Sequence, residues 1–223
     1  MSQPIMEIVD LGEHLDPSQA DQLVASLEAR LKEDPADLKA LLLLGNCHYL
    51  AGRISQSIDV FRRVIQLNPA TSQAYYYLGV ALYRSGRVEE AIQVLLELTG
   101  RWPSLVMGNY WLGIACYHQG EYGASRKAFE TLLQHSPESK IAHYHAALAC
   151  FADKAYERAR DHLLVMVNEG YRDPQVYQLL GRVYRRLQRY PEAVETYKKG
   201  LALNPDNGPL KLSLEDLTDV QDP

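Results

Sequence analysis

Cysteine is scarce in this chain. There are three among 223 residues, an odd number with no Cys-x-x-Cys pair, so neither a disulfide framework nor a zinc ribbon is in prospect. Cys47, Cys116 and Cys150 each sit inside an apolar helical pattern, where a thiol acts as a small buried hydrophobe in a reducing compartment. Long apolar runs are missing too. None reaches the roughly 18 residues that span a bilayer, so no membrane insertion is expected. The opening MSQPIMEIVDLGEHLD lacks a basic region leading into a long apolar core. No signal peptide is expected, and the expected location is cytoplasmic. Nor is there an excess of Lys and Arg. Net charge is −5, which argues against nucleic acid as the ligand, since phosphate binding needs positive charge. A glycine-rich phosphate loop, a nucleophile elbow and a paired-carboxylate motif are all absent. The expectation is a protein that is not an enzyme and holds no cofactor.

What the chain has is an ordinary globular composition, 47% apolar and 23% charged, which excludes wholesale disorder. Its charges are unevenly placed. Residues 1–37 carry nine acidic and two basic side chains, and residues 206–223 carry five and one. The body between them, residues 38–205, has 14 acids and 20 bases.

That body repeats every 34 residues. Gly45, Gly79, Gly113, Ala147 and Gly181 form one column, each preceded by Leu44, Leu78, Leu112, Ala146 or Leu180. Pro35, Pro69, Pro103, Pro137 and Pro205 form a second, with Tyr171 in the vacant place. Phe61, Leu95, Phe129, Leu163 and Tyr197 form a third. Several columns keep one period without insertion or deletion, the mark of a stacked-repeat architecture. Each unit reads as two helices. In the second, Tyr75, Leu78, Gly79 and Leu82 make one stripe, a turn falls at Ser85–Arg87, and Ala91, Val94, Leu95 and Leu98 make the next. The Trp102-Pro103 step ends the unit, because proline disfavours helix at the residue before it. Gly79 and Ala91 are small where two helix backbones approach.

These columns resemble the tetratricopeptide repeat. The fifth unit carries the pattern through Tyr177, Leu180, Gly181, Tyr184, Tyr190, Ala193, Tyr197 and Pro205, and the third through Leu112, Gly113, Tyr122, Phe129 and Pro137. The fourth departs, with Ala147 for Gly and Gly170-Tyr171 for the usual Asn-Pro, which predicts an altered turn. The resemblance implies an all-α fold: a right-handed superhelical solenoid of five 34-residue helix-turn-helix repeats over 36–207. Residues 1–15 are an acidic and apolar segment. A helical cap is expected at each end, one over 16–35 with an apolar stripe of Leu23, Leu27 and Leu31, and one opening 208–223, since stacked repeats need covered end faces. Asp16 or Ser18 is placed to cap the first helix.

The resemblance also implies that the first helix of each pair lines a concave side. Tyr75 belongs to the packing column Leu41, Tyr75, Asn109, His143 and Tyr177. A second stripe then faces the groove. Its columns are Leu42, Tyr76, Tyr110, Tyr144 and Gln178; Asn46, Val80, Ile114, Leu148 and Arg182; and Tyr49, Tyr83, Tyr117, Phe151 and Arg185. Tyr77, Trp111 and His145 lie beside it. Aromatic side chains suit such a groove, offering apolar faces at low rotamer cost with a polar handle. The same rings also serve internal packing in tightly wound repeats, and both readings stand at this point. At the far end the columns turn to Gln178, Arg182, Arg185 and Arg186; Arg182 and Arg185 suggest carboxylates beside the partner's apolar anchors, and a solvated basic helix is the alternative. A family variant that clamps the C-terminal carboxylate of heat-shock chaperones uses five positions that here hold Leu42, Asn46, Tyr77, Met107 and Trp111. Only Asn46 matches, so that ligand is not expected. His143 and His145 lie two apart on a helix and do not share a metal.

Two functions follow. One is a protein-binding module (adaptor, assembly factor or chaperone-like) holding a partner peptide in the aromatic groove. The other is a self-assembling scaffold in which the apolar cluster Pro4, Ile5, Met6, Ile8, Val9 and Leu11 occupies its own groove or a neighbour's.

Overall fold

The computed structural model describes residues 17–218. Asp16, the side chain of Ser18, the apolar cluster from Pro4 to Leu11 and the acidic tail from residue 219 lie outside the described residues. Twelve α-helices are described and no strand. They fall in two compact units, residues 1–119 and 120–223.

The first unit holds α1 (Pro17–Glu33), α2 (Leu38–Leu50), α3 (Ile54–Leu67), α4 (Ser72–Arg84), α5 (Val88–Arg101) and α6 (Val106–His118). Each packs on the next, and α2, α4 and α6 also touch in sequence, so the first helices form one face. The second unit holds α7 (Tyr122–His135), α8 (Lys140–Ala152), α9 (Tyr156–Asn168), α10 (Pro174–Arg186), α11 (Tyr190–Leu203) and α12 (Gly208–Thr218). Consecutive helices pack there too, and α8 touches α10.

The helix ends explain the period. Each first helix stops at a residue in the left-handed region: Gly52 (φ 73°), Gly86 (80°), Gly120 (82°), Lys154 (61°) and Gln188 (59°), 34 apart. Four of these turns close with a six-residue backbone bond, Arg53 N–H to His48 C=O, Arg87 to Leu82, Ala155 to Cys150 and Arg189 to Tyr184. The second helices stop differently. Asn68 and Asn204 are extended, and Trp102 and Ser136 leave the helical region at φ −132° and −140°, since proline disfavours helix at the residue before it. The fourth repeat has no such proline. There Gly170 turns left-handed at φ 80°, and Tyr171 N–H donates to Met166 C=O. Starts are fixed by side chains where they are available: Asp37 accepts from Ala40 N–H, and Asp173 from Gln175 N–H ahead of a helix opening on Pro174.

The large column residues are the core. Phe61, Leu95, Phe129, Leu163 and Tyr197 are buried, each stabilising by about 1.5–3 kcal/mol through lost apolar exposure. The small column makes room for them: a Cβ placed on Gly45 would lie 2.5 Å from the Phe61 ring, and one on Gly79 2.7 Å from Leu95. Gly181 faces Tyr197 in the same way. At the ends, α12 buries Leu210 and Leu217, and α1 buries Val24, Leu27 and Leu31. Leu23, expected in that stripe, is half-buried; α1 is turned so that the 24, 27, 31 spacing meets α2. Cys47, Cys116 and Cys150 are buried thiols, none in a disulfide among the described residues.

Candidate functional site

In the first unit, α2, α4 and α6 bring Tyr49, Tyr76, Tyr77, Tyr83, Tyr110, Trp111, Ile114 and Tyr117 together as half-buried side chains. Asn46 and Val80, also expected to line the groove, are each 6% exposed and belong to the interior. The rings are interlocked. Trp111 Nε1 donates to the Tyr76 hydroxyl at 3.1 Å. The Tyr83 ring lies 5.7 Å from Trp111 and 5.6 Å from His118, and Tyr110 meets Trp111 edge-on at 5.6 Å. Arg84 covers Tyr49 at 4.7 Å. Burial pushes the phenols of Tyr76, Tyr77, Tyr83 and Tyr110 up, so they stay neutral hydrogen-bonding groups.

Tyr77 has a different task from its neighbours. Its ring stacks on Phe61, 5.4 Å between centroids and 19° between planes. His145 does the same on Phe129, at 5.5 Å and 16°. Those pairs are 68 residues apart, so this column joins one helix pair to the next.

Beyond Tyr77 the α4–α6 face opens into an apolar cavity of about 230 Å³, lined by Gln73, Tyr76, Tyr77, Ser104, Leu105, Val106 and Met107. Ligand pockets for whole small molecules run to about 300–1,000 Å³; this one suits a side chain or two. Met107 at its rim is 48% exposed. Sequence reasoning named Tyr76 and Tyr77 as groove residues but missed Gln73, Ser104, Leu105, Val106 and Met107 as lining. The signal was there: Gln73 and Met107 each stand three residues before a stripe tyrosine, Tyr76 and Tyr110, one turn earlier on the same helix face.

In the second unit, Tyr144, His145, Leu148 and Phe151 are half-buried on α8, while Arg182 and Arg185 are exposed on α10. A cavity of about 410 Å³ lies beside Tyr144 and His145, in the same register as the one beside Tyr76 and Tyr77. Its lining includes Lys140 and Asp173, so it is not the same apolar slot. A further cavity, about 400 Å³, is lined by Phe151, Arg182, Arg185, Arg186, Gln188 and Tyr190.

His143 and His145 do not converge on a metal. His143 pairs with His162, Nδ1 to Nδ1 at 3.0 Å, and its Nε2 donates to the Pro137 carbonyl at 2.9 Å. Among the described residues no group of three metal-ligating side chains is assembled, and no helix is long and apolar enough to cross a membrane.

Comparison with solved structures places this geometry. The chain is similar to MamA from Desulfovibrio magneticus RS-1, at 18% identity and a TM-score of 0.70 over 77% of this chain and 97% of that one. It is similar to YrrB, described as a tetratricopeptide repeat protein with an unusual peptide-binding site, at 12% identity and a TM-score of 0.77, over 85% and 97%. It also matches a chain of the Cut9–Hcn1 hetero-tetramer of APC/C, at 13% identity and a TM-score of 0.62, over 98% of this chain and 43% of that one. At such identities the likeness is one of fold. No curated protein sequence matches. The sequence profile of the tetratricopeptide repeat, however, matches residues 20–70, 51–106 and 110–176, and a second profile of the same repeat matches 174–207. With those matches over most of its length, the chain belongs to the tetratricopeptide repeat family.

Proposed function

We propose that this chain is a non-enzymatic protein-binding module, an adaptor, assembly factor or chaperone-like protein of the cytoplasm. Its aromatic face takes the apolar anchors of a partner peptide. The observation that carries this reading is the cavity beside Tyr76 and Tyr77 with exposed Met107 at its rim. An apolar slot of side-chain size, bordered by rings with hydroxyl handles, is what an amphipathic segment needs to seat an anchor. Two of the similar structures support the class: YrrB is described by a peptide-binding site, and Cut9–Hcn1 is a complex.

The test is affinity capture from native lysate with wild type, Met107→Glu and Tyr76→Ala side by side, each checked for helicity. A protein recovered with wild type and lost with Met107→Glu is the expected result. Equal recovery across all three refutes the site. Recovery of this chain alone would favour the self-assembling scaffold instead.

A further inference from the structure

We propose that the cavity at the C-terminal ends of α8 and α10 docks an acidic peptide segment of a partner protein, with its carboxylates held by Arg182 and Arg186 and Phe151 as a wall. This deepens, and rests on, the reading of the chain as a peptide-binding module. The cavity, about 400 Å³, is lined by three arginines, Gln188 and the rings of Phe151 and Tyr190, and no acidic side chain lines it.

Four of the five other arginines in this unit are matched, Arg172 being the exception among the described residues. Arg126 and Arg158 reach Glu130, Arg160 reaches Asp161, and Arg189 reaches Glu192. Around the cavity this matching fails. Among the described residues Arg182 and Arg186 have no carboxylate partner, and Arg185 has only Asp216 of α12 at 3.6 Å. Arg182, Arg185 and Arg186 are three and four residues apart on one helix face, where like charges repel.

A helix C-terminus does favour basic side chains. Yet the final carbonyls of α10 are already engaged. Leu187, Gln188 and Arg189 donate their N–H groups to the carbonyls of Val183, Arg185 and Tyr184, which leaves the arginines little to cap. Arg182 is preorganised instead. Its guanidinium lies over the Phe151 ring, 4.8 Å from the centroid, a contact that engages the face of the group and not the N–H edges, which a planar, bidentate acceptor uses. A carboxylate is that acceptor.

A phosphate is the poorer fit. Phosphates settle where backbone N–H groups converge at a helix N-terminus, whereas this cavity lies at the negative end of the α10 dipole. Singly charged carboxylates, one for each arginine, carry less charge into that field.

The probe is a fluorescein-labelled, C-terminally amidated decapeptide of alternating glutamate and leucine, titrated into the full chain by anisotropy. Arginine side-chain NMR signals are followed in parallel. The expected result is saturable binding that shifts the Arg182 and Arg186 signals. Binding should weaken at least tenfold in Arg182→Gln/Arg186→Gln, and equally when glutamine replaces glutamate in the probe. Arg186→Gln alone, at an exposed position, should lose a measurable part without affecting the fold. Binding that survives the double variant, ignores the glutamate-to-glutamine change or never saturates overturns the inference, as does tighter binding of a phosphoserine peptide. If the probe fails while Met107→Glu still abolishes partner capture, this inference falls and the peptide-binding reading stands.

Discussion

His143 and His162 share one hydrogen bond, Nδ1 to Nδ1 at 3.0 Å, between α8 and α9. The Pro137 carbonyl can only accept, so His143 carries its proton on Nε2. A neutral His143 then accepts at Nδ1, and His162 donates from its own Nδ1. The bond needs one Nδ1 without a proton, so two imidazolium rings could not share it.

It follows that acid works against this unit. Burial pushes His162 below its ordinary value of 6.5, the nearby His143 adds to that, and Arg158 adds less; Glu130 and Asp161 oppose them. The unfolded chain therefore binds the proton first, and the stability present above pH 6.5 drains away as pH falls from 6.5 towards the folded-state value. His48 in the first unit behaves likewise, held down by burial and Arg53. Thermal midpoints measured from pH 7.5 to 5.5 should fall, and His162→Asn, which cannot protonate, should flatten that slope. An unchanged slope would show that the pair does not titrate in this range.

Two glycines in helices carry opposite expectations. A Cβ on Gly45 meets the Phe61 ring at 2.5 Å, and the ring is fully buried. Gly45→Ala should cost about 1–3 kcal/mol through overpacking. Gly100 has open space around its Cβ position, so Gly100→Ala should gain about 0.5–1 kcal/mol by relieving helix-interior entropy. Urea midpoints of the two variants decide it: destabilisation by both would mean that Gly100 serves a contact after all.

Lys154 sits at φ 61° in the column that holds Gly52, Gly86 and Gly120 before it and Gln188 after it. An L-residue there bears a steric cost of roughly 1–2 kcal/mol, part of which glycine returns in unfolded-state entropy. Lys154→Gly should stabilise the chain by about 0.5–1 kcal/mol in urea denaturation, with no change in the fold. A loss would mean that the lysine side chain makes up for its backbone.

The fold was legible because each column has one dominant cause. Gly45 is small because Phe61 fills the space, and Pro69 holds Asn68 extended; both causes act within one repeat, and 34-residue copying shows them four times over. The fourth-repeat turn was legible through its missing proline. The site was only partly so. Helical periodicity separates the Tyr76 stripe from the Tyr75 stripe, but it does not say how deep a stripe lies. Asn46 and Val80 occupy groove columns and are buried because neighbouring first helices touch. Tyr77 and His145 look alike from the sequence as flank residues, and their stacking on Phe61 and Phe129 depends on where the previous repeat's ring ends. The His143 partner, His162, is nineteen residues away on another helix, a pairing no local spacing reveals.

Met107 and Tyr77 line the same cavity, and they separate binding from packing. Tyr77 is stacked on Phe61, so Tyr77→Ala removes ring contacts from the joint between helix pairs. It should cost about 2–4 kcal/mol, somewhat below or within the range for a fully buried aromatic. Its effect on a partner would then be uninterpretable, because the cavity wall itself would shift. Met107 is 48% exposed at the rim, and surface changes of this kind move stability by about 0.5 kcal/mol or less. Met107→Glu places a charge where an apolar anchor must be desolvated, and an unpaired charge in such a contact is strongly unfavourable. The expected pair of outcomes is a large fall in melting temperature for Tyr77→Ala, and an unchanged melting temperature with lost partner capture for Met107→Glu. If Met107→Glu melts like wild type and still captures every partner, the cavity is a packing defect between α4 and α6, and binding must be sought on another face.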